Sequence, residues 1–234
     1  MATHGKKYRA ASEKVVNKEV LHPFKDGLSK VKELAFAKFD ESVDLHINLG
    51  IDPTKGEHAV RGSVVLPNSV GKKIRIVVFA KGDHAEEARA AGADFVGAED
   101  LIEKIDGGWM DFDYAVSTPD LMGAVGKLAK VLGPRGLLPN KKVGTVTFDV
   151  GPVVADLKKG RQFFKNDKSG LVHFSIGRVS FDVKKLQENL VAFIRALSSS
   201  KPPSSKGKFI QKMTVASTMG VGIRLNPDDS LSEQ

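Results

Sequence analysis

Ser42-Val43-Asp44-Leu45-His46-Ile47-Asn48-Leu49 alternates polar and apolar residues without a fault. Successive side chains of a strand point to opposite faces, so this octet predicts a strand with one face buried and one wet. Gly50-Ile51-Asp52-Pro53 ends it, and VRGSVVL at 60–66 predicts a second strand. Upstream, apolar residues at helical spacing predict helices over 7–20 and 26–35, the second capped by Asp26.

The texture changes after Pro67-Asn68. IRIVVFA at 74–80 is an almost unbroken apolar run, as a parallel strand covered on both faces requires. Short strands at 94–96 and 114–116 alternate with helices over 85–91, 100–105 and 120–131. The last is capped by Thr118 with Pro119 at its first position. Strand and helix alternating through short connections predict a parallel α/β unit, which closes with a helical turn at 153–158. Beyond Lys159-Gly160 the half-buried texture returns. Strands are predicted at 163–165 and 171–177, joined by Asn166-Asp167-Lys168-Ser169-Gly170. An amphipathic helix follows over 183–197, with Leu186, Leu190, Phe193, Ile194 and Leu197 on one face. A Ser/Pro/Lys linker at 198–208, a last pair of strands and a frayed tail at 226–234 complete the chain.

Two antiparallel segments therefore bracket a parallel one. The expected fold combines α+β and α/β classes in two domains. Residues 1–67 and 159–234 form a discontinuous α+β sandwich, and residues 68–158 form an inserted, Rossmann-like three-layer α/β domain. The crossings fall near 67–71 and 158–160. Charge divides the same way. Residues 68–158 hold 12 Lys/Arg against 13 Asp/Glu, and the flanks hold the other 24 and 15. The whole chain carries +8, so its basic excess lies in the part built from the two ends, where a polyanion is expected to bind.

Several functions are excluded or disfavoured. Absence of Cys removes disulfides, thiolate metal sites and Cys nucleophiles. The six His are scattered without ligand spacing, so no metal or cofactor is expected. No G-x-G-x-x-G follows Ala80, and the loop at 133–144 lacks the G-K-S/T of a phosphate-binding loop. No apolar run reaches membrane-spanning length, and the first residues lack the apolar core of a secretory signal. A nucleotide-binding enzyme in the middle segment is the competing class.

A nucleic-acid reading has better material. Val215-Ala216-Ser217-Thr218-Met219-Gly220-Val221-Gly222 offers hydroxyls, a deformable thioether and two glycines that let a bulky partner approach. By itself it also reads as a glycine-broken hairpin. Lys38-Phe39 sets an aromatic beside a cation, which suits stacking next to phosphate, although Phe39 alone reads better as core. Lys165, Lys168 and His173 flank the turn at 166–170 and fit either the same face or a plain polar hairpin.

Taken together, HGKKYR (4–9), VKELAFAKFDESVDLHINLGIDP (31–53), AKGDHAEEARAAGADFVG (80–97), GWMDFD (108–113), GPRGLLPNKKVGTVT (133–147), FFKNDKSGLVH (163–173), AFIRAL (192–197) and STMG (217–220) closely resemble the bacterial large-subunit ribosomal protein L-one family, that of the mobile stalk. The resemblance implies a non-enzymatic, cytoplasmic protein of the ribosome, monomeric when free. It implies binding to large-subunit rRNA, repression of its own operon's mRNA, and help in releasing deacylated tRNA from the exit site. It implies an RNA-binding core of Phe39, Thr218, Met219 and Gly220, with Lys38, Ser42, Asn166, Asp167, Lys168, His173 and Ser217 around it. Ser42 stands where relatives often have Thr. Lys212 stands where some have Ser, so that contact is not counted. The loop at 133–144 reads as structural.

Overall fold

The computed structural model describes residues 5–15, 20–53, 58–68, 74–203, 205 and 207–231, with the side chains of 142, 230 and 231 excepted. The first residue of the HGKKYR motif, part of the helix expected over 7–20, part of the crossing at 67–71 and the last three residues of the tail lie outside these. By contacts the chain divides into two compact units, residues 1–70 with 163–234, and residues 71–162.

The first unit is built on a four-stranded antiparallel sheet. Its strands are β1 (Ser42–Leu49), β7 (Leu171–Arg178), β8 (Ile210–Ser217) and β9 (Ile223–Leu225), in the order β7-β1-β8-β9. The octet read first is β1, and its burial alternates residue by residue along its length. Val43, Leu45, Ile47 and Leu49 point into the core. There they meet helix α2 (Phe24–Leu34) through Phe24, Leu28 and Val31, and helix α8 (Val183–Ser199) through Leu186, Leu190, Phe193, Ile194 and Leu197. Phe193 stacks on Phe174 at 4.0 Å between ring centres and meets Phe164 edge-on at 5.3 Å. Burial of these large apolar side chains is the main force holding helices to sheet.

β2 (Arg61–Val65) and β6 (Arg161–Lys165) form a separate two-stranded sheet. The two strands joined at 166–170 therefore lie in different sheets, linked by a bridge between Asn166 and Val172. Buried Asn189 on α8 fixes the start of the crossing. Its Oδ1 accepts the Asn68 N–H, and its Nδ2 donates to the carbonyls of Asn68 and Ile176.

The second unit holds a parallel sheet of β3 (Ile76–Phe79), β4 (Phe95–Gly97) and β5 (Tyr114–Ser117), in the order β4-β3-β5. All four residues of central β3 are buried, as its unbroken apolar sequence predicts. Helices α3 (Asp83–Ala90), α4 (Glu99–Asp106) and α7 (Val150–Lys159) flank the sheet.

Several expected boundaries moved. Helix α1 runs from Lys6 to Lys14, shorter than expected among the described residues. Asp26 lies within the first turn of α2 and makes no side-chain cap. The helix expected over 120–131 is broken into two α segments, α5 (Met122–Val125) and α6 (Ala129–Arg135), separated by a 3-10 turn and preceded by another. Gly123 and Gly126 weaken the α pattern there. Thr118 does not cap it, because its hydroxyl is drawn to the Phe79 carbonyl instead.

Candidate nucleic-acid interface

The antiparallel sheet buries one face against α2 and α8. Its other face presents Ser42, Asp44, His46 and Asn48 from β1, His173 and Ser175 from β7, Lys212, Thr214 and Ala216 from β8, and Arg224 from β9. Alternation dictates this set, since neighbours of buried residues face outward.

At one end of β1 the two expected motifs meet. The Thr218 N–H donates to the Ser42 carbonyl at 3.0 Å, and the Ser42 N–H donates to Thr218 Oγ1 at 3.0 Å. Beneath them lies Glu41, only 2% exposed. Its Oε1 accepts the amides of Ala37 (2.8 Å) and Phe36 (3.2 Å), and its Oε2 accepts the amide of Met219 (3.0 Å). One carboxylate thus ties the loop before β1 to the turn after β8, across 178 residues of chain. Burial pushes the Glu41 carboxyl up. The three amides hold it below its ordinary value all the same. Ser217 Oγ stands near the carboxylate but reaches no partner in hydrogen-bond geometry among the described residues, so the amides carry the effect.

Above this clamp two large apolar side chains face solvent, Phe39 at 58% exposure and Met219 at 53%. Lys38 and Thr218 are exposed beside them, and Gly220 is half-buried. A Cβ on Gly220 would run into Ser217 Oγ, so glycine is favoured here by close packing rather than by backbone angle. Ser217 itself is 4% exposed and stands beneath the patch rather than in it. Asp40 accepts the N–H and hydroxyl of Ser180 and lies 3.8 Å from Arg178, which anchors the loop's other side.

The remaining expected residues lie elsewhere. Asn166, Asp167 and Lys168 form the turn at the opposite end of β1, where the Leu49 N–H donates to the Gly170 carbonyl. An eight-residue strand separates the two places by roughly 25 Å. Asn166 is engaged structurally: its Oδ1 accepts the Val60 N–H, and its Nδ2 donates to the Asp167 carbonyl. Asp167 accepts the amides of Leu171 and Ser169, which hold its carboxyl below the ordinary range. Lys168 is exposed at the tip. His173 sits midway, opposite His46 on β1, with their Nδ1 atoms 2.7 Å apart.

Sequence reasoning missed Glu41 and His46. An acidic residue in a polar turn carries no mark of burial, and His46 read simply as one wet position of an alternating strand. In the second unit, Leu137 and Leu138 of the loop at 133–144 pack against the core, and Thr145 Oγ1 closes the loop onto Asn140.

These features define a class: a mixed α/β protein with an exposed aromatic, thioether and hydroxyl patch at the end of an open sheet face. The chain belongs to the Ribosomal protein L1p/L10e family, which matches residues 31–221. It is 51% identical over 228 residues to "Large ribosomal subunit protein uL1" of Thermus thermophilus, and equally so to the same protein of two named strains of that species. Each match covers 97% of this chain and 99% of the relative. This is a family of ribosomal proteins rather than of enzymes. No helix among the described residues is long and apolar enough to cross a membrane.

Proposed function

We propose that this protein is a component of the large ribosomal subunit, working on cytoplasmic ribosomes, and that it grips structured large-subunit rRNA with the open sheet face of its first unit. The names of its relatives support the assignment to the large subunit. The observation that supports the RNA reading is the Glu41 clamp, which ties the loop carrying Lys38 and exposed Phe39 to the turn carrying Thr218 and exposed Met219. Phe39 stacks on a base or ribose, Met219 and Gly220 take close apolar contact, and Thr218 and Ser42 offer hydroxyls to 2′-OH or phosphate. Lys38 and Lys168 supply salt-dependent attraction. His173, Asn166 and Asp167 extend the footprint along the sheet to its far turn, and Ser217 supports it from below.

In this reading residues 1–67 with 159–234 are the RNA-binding α+β sandwich, and residues 68–158 are a Rossmann-like insertion. The free protein is a monomer. The same face binds a like structure in its own operon's mRNA and represses translation, and the ribosome-bound protein assists release of deacylated tRNA from the exit site.

The test is Met219→Asp. The side chain is exposed, so the fold should be kept, while an anion set against phosphate weakens binding. Filter-binding titration with a large-subunit rRNA transcript should show a loss of about tenfold or more, about 1.4 kcal/mol or above. Equal affinity of mutant and wild type would defeat the assignment.

A further inference from the structure

Across the middle of the open sheet face runs a row of four residues in register: His173 on β7, His46 on β1, Thr214 on β8 and Arg224 on β9. The two imidazoles meet edge to face, with ring centres 5.0 Å apart and Nδ1 atoms 2.7 Å apart. Hydrogen bonds between two nitrogens at this distance need a proton on one and a lone pair on the other. That requirement fixes what the pair can present to a ligand.

In the neutral pair, one ring uses its Nδ1–H as donor, so its Nε2 carries only a lone pair. The other ring accepts at Nδ1 and carries its proton at Nε2. The pair then shows one donor, one acceptor and no charge. A single added proton enters at the bare Nε2 and leaves the Nδ1–H···Nδ1 bond intact. The pair now carries one positive charge, an internal charge-assisted hydrogen bond and two Nε2–H donors. A second proton would place N–H against N–H at 2.7 Å and force the rings apart. This geometry therefore holds one added proton and not a second.

The surroundings set what that charge meets. On β1 the neighbours on the same face are Asp44 and Asn48, and on β8 they are Thr214 and Lys212. From β7 the pair faces Ser175, and the Asp167 carboxylate at the adjoining turn stands 3.9 Å from His173 Nε2. Asp167 is already committed to the amides of Ser169 and Leu171. Arg224 closes the row on β9. A phosphate laid across this row would find an imidazolium donor, the Thr214 hydroxyl and the Arg224 guanidinium in line.

We infer that His46 and His173 together form a phosphate-binding element of the RNA face that takes up one proton from solvent as RNA docks. This rests on the RNA reading of that face and adds proton linkage to it. In the free protein, burial first, and then the charge of His173, hold the His46 imidazole below its ordinary value, against the opposing pull of Asp44. His46 in the free protein is therefore mostly neutral near pH 7, and an RNA phosphate favours its protonated form. Below the pKa of His46 in the free protein both states are protonated and affinity is level. Between the free and bound values affinity falls as pH rises. Above the bound value the linked contribution is gone.

The experiment measures the dissociation constant of the full chain for a large-subunit rRNA transcript from pH 5.8 to 8.2 at fixed ionic strength. Wild type and the His46→Gln/His173→Gln double variant are compared, with urea midpoints to show that both are folded. Wild-type affinity should rise on acidification with a limiting slope of about one proton, up to roughly tenfold per pH unit, and the double variant should show no slope. A level wild-type profile, a slope kept by the double variant, or a wild-type slope nearing two protons would overturn the inference and leave the RNA reading standing. Failure of wild type to bind the transcript at any pH would overturn the RNA reading, and this inference with it.

Discussion

Removing the Glu41 carboxylate should loosen both halves of the interface at once. Glu41→Ala deletes the acceptor for three amides, those of Phe36, Ala37 and Met219. A hydrogen bond to a charged group contributes about 1.5–3 kcal/mol net, and a buried donor left unpaired costs about 1–3 kcal/mol. The three contacts are only part-buried, so water replaces some of what is lost, and about 1 kcal/mol each is the appropriate share. Glu41→Ala should then cost about 3 kcal/mol, a fall in Tm of roughly 6–12 °C for a chain of this size. Glu41→Gln keeps one oxygen for Phe36 and Ala37 but turns an NH2 toward the Met219 N–H. It loses one charge-assisted bond and weakens two, about 2 kcal/mol.

The pH dependence separates this from simple loss of packing. The folded carboxyl lies below its ordinary value of 4.5, so the stabilisation is complete above that value and is lost as pH falls through the folded one. The gap between wild type and Glu41→Gln should be constant from pH 7 to 5 and shrink below pH 4. Urea unfolding at pH 7, 5 and 3.5 measures it. A Glu41→Gln variant within about 0.5 kcal/mol of wild type at pH 7, or a gap unchanged at pH 3.5, would refute the clamp.

Two other outcomes follow from the same geometry. Gly220→Ala should cost about 1–3 kcal/mol as overpacking, because its Cβ meets Ser217 Oγ. In a Ser217→Ala background the clash disappears, so a double-mutant cycle by urea unfolding should return a clear coupling, and strict additivity would count against the contact. Lys38→Ala should leave stability unchanged and reduce the slope of log affinity against log salt for rRNA by about one, measured across 50–200 mM salt; an unchanged slope would remove Lys38 from the phosphate contacts.

Local periodicity alone determined much of this protein. The perfect alternation of residues 42–49 predicted β1 to the residue, the apolar run at 74–80 predicted a strand buried on both faces, and Leu186, Leu190, Phe193, Ile194 and Leu197 predicted the buried side of α8. Such signals survive in sequence because each residue's environment there is fixed by neighbours two to four positions away. Motif resemblance supplied Phe39 and Met219 together, but only the fold decided how the loop of one is tied to the turn of the other. The Glu41 carboxylate does this through amides, which have no side-chain identity to read. Tertiary structure likewise sent Asn166, Asp167 and Lys168 to the opposite end of β1 and set His46 against His173. Both depend on strand register, and register is settled by packing of the whole sheet against its helices, not by the residues that happen to face each other.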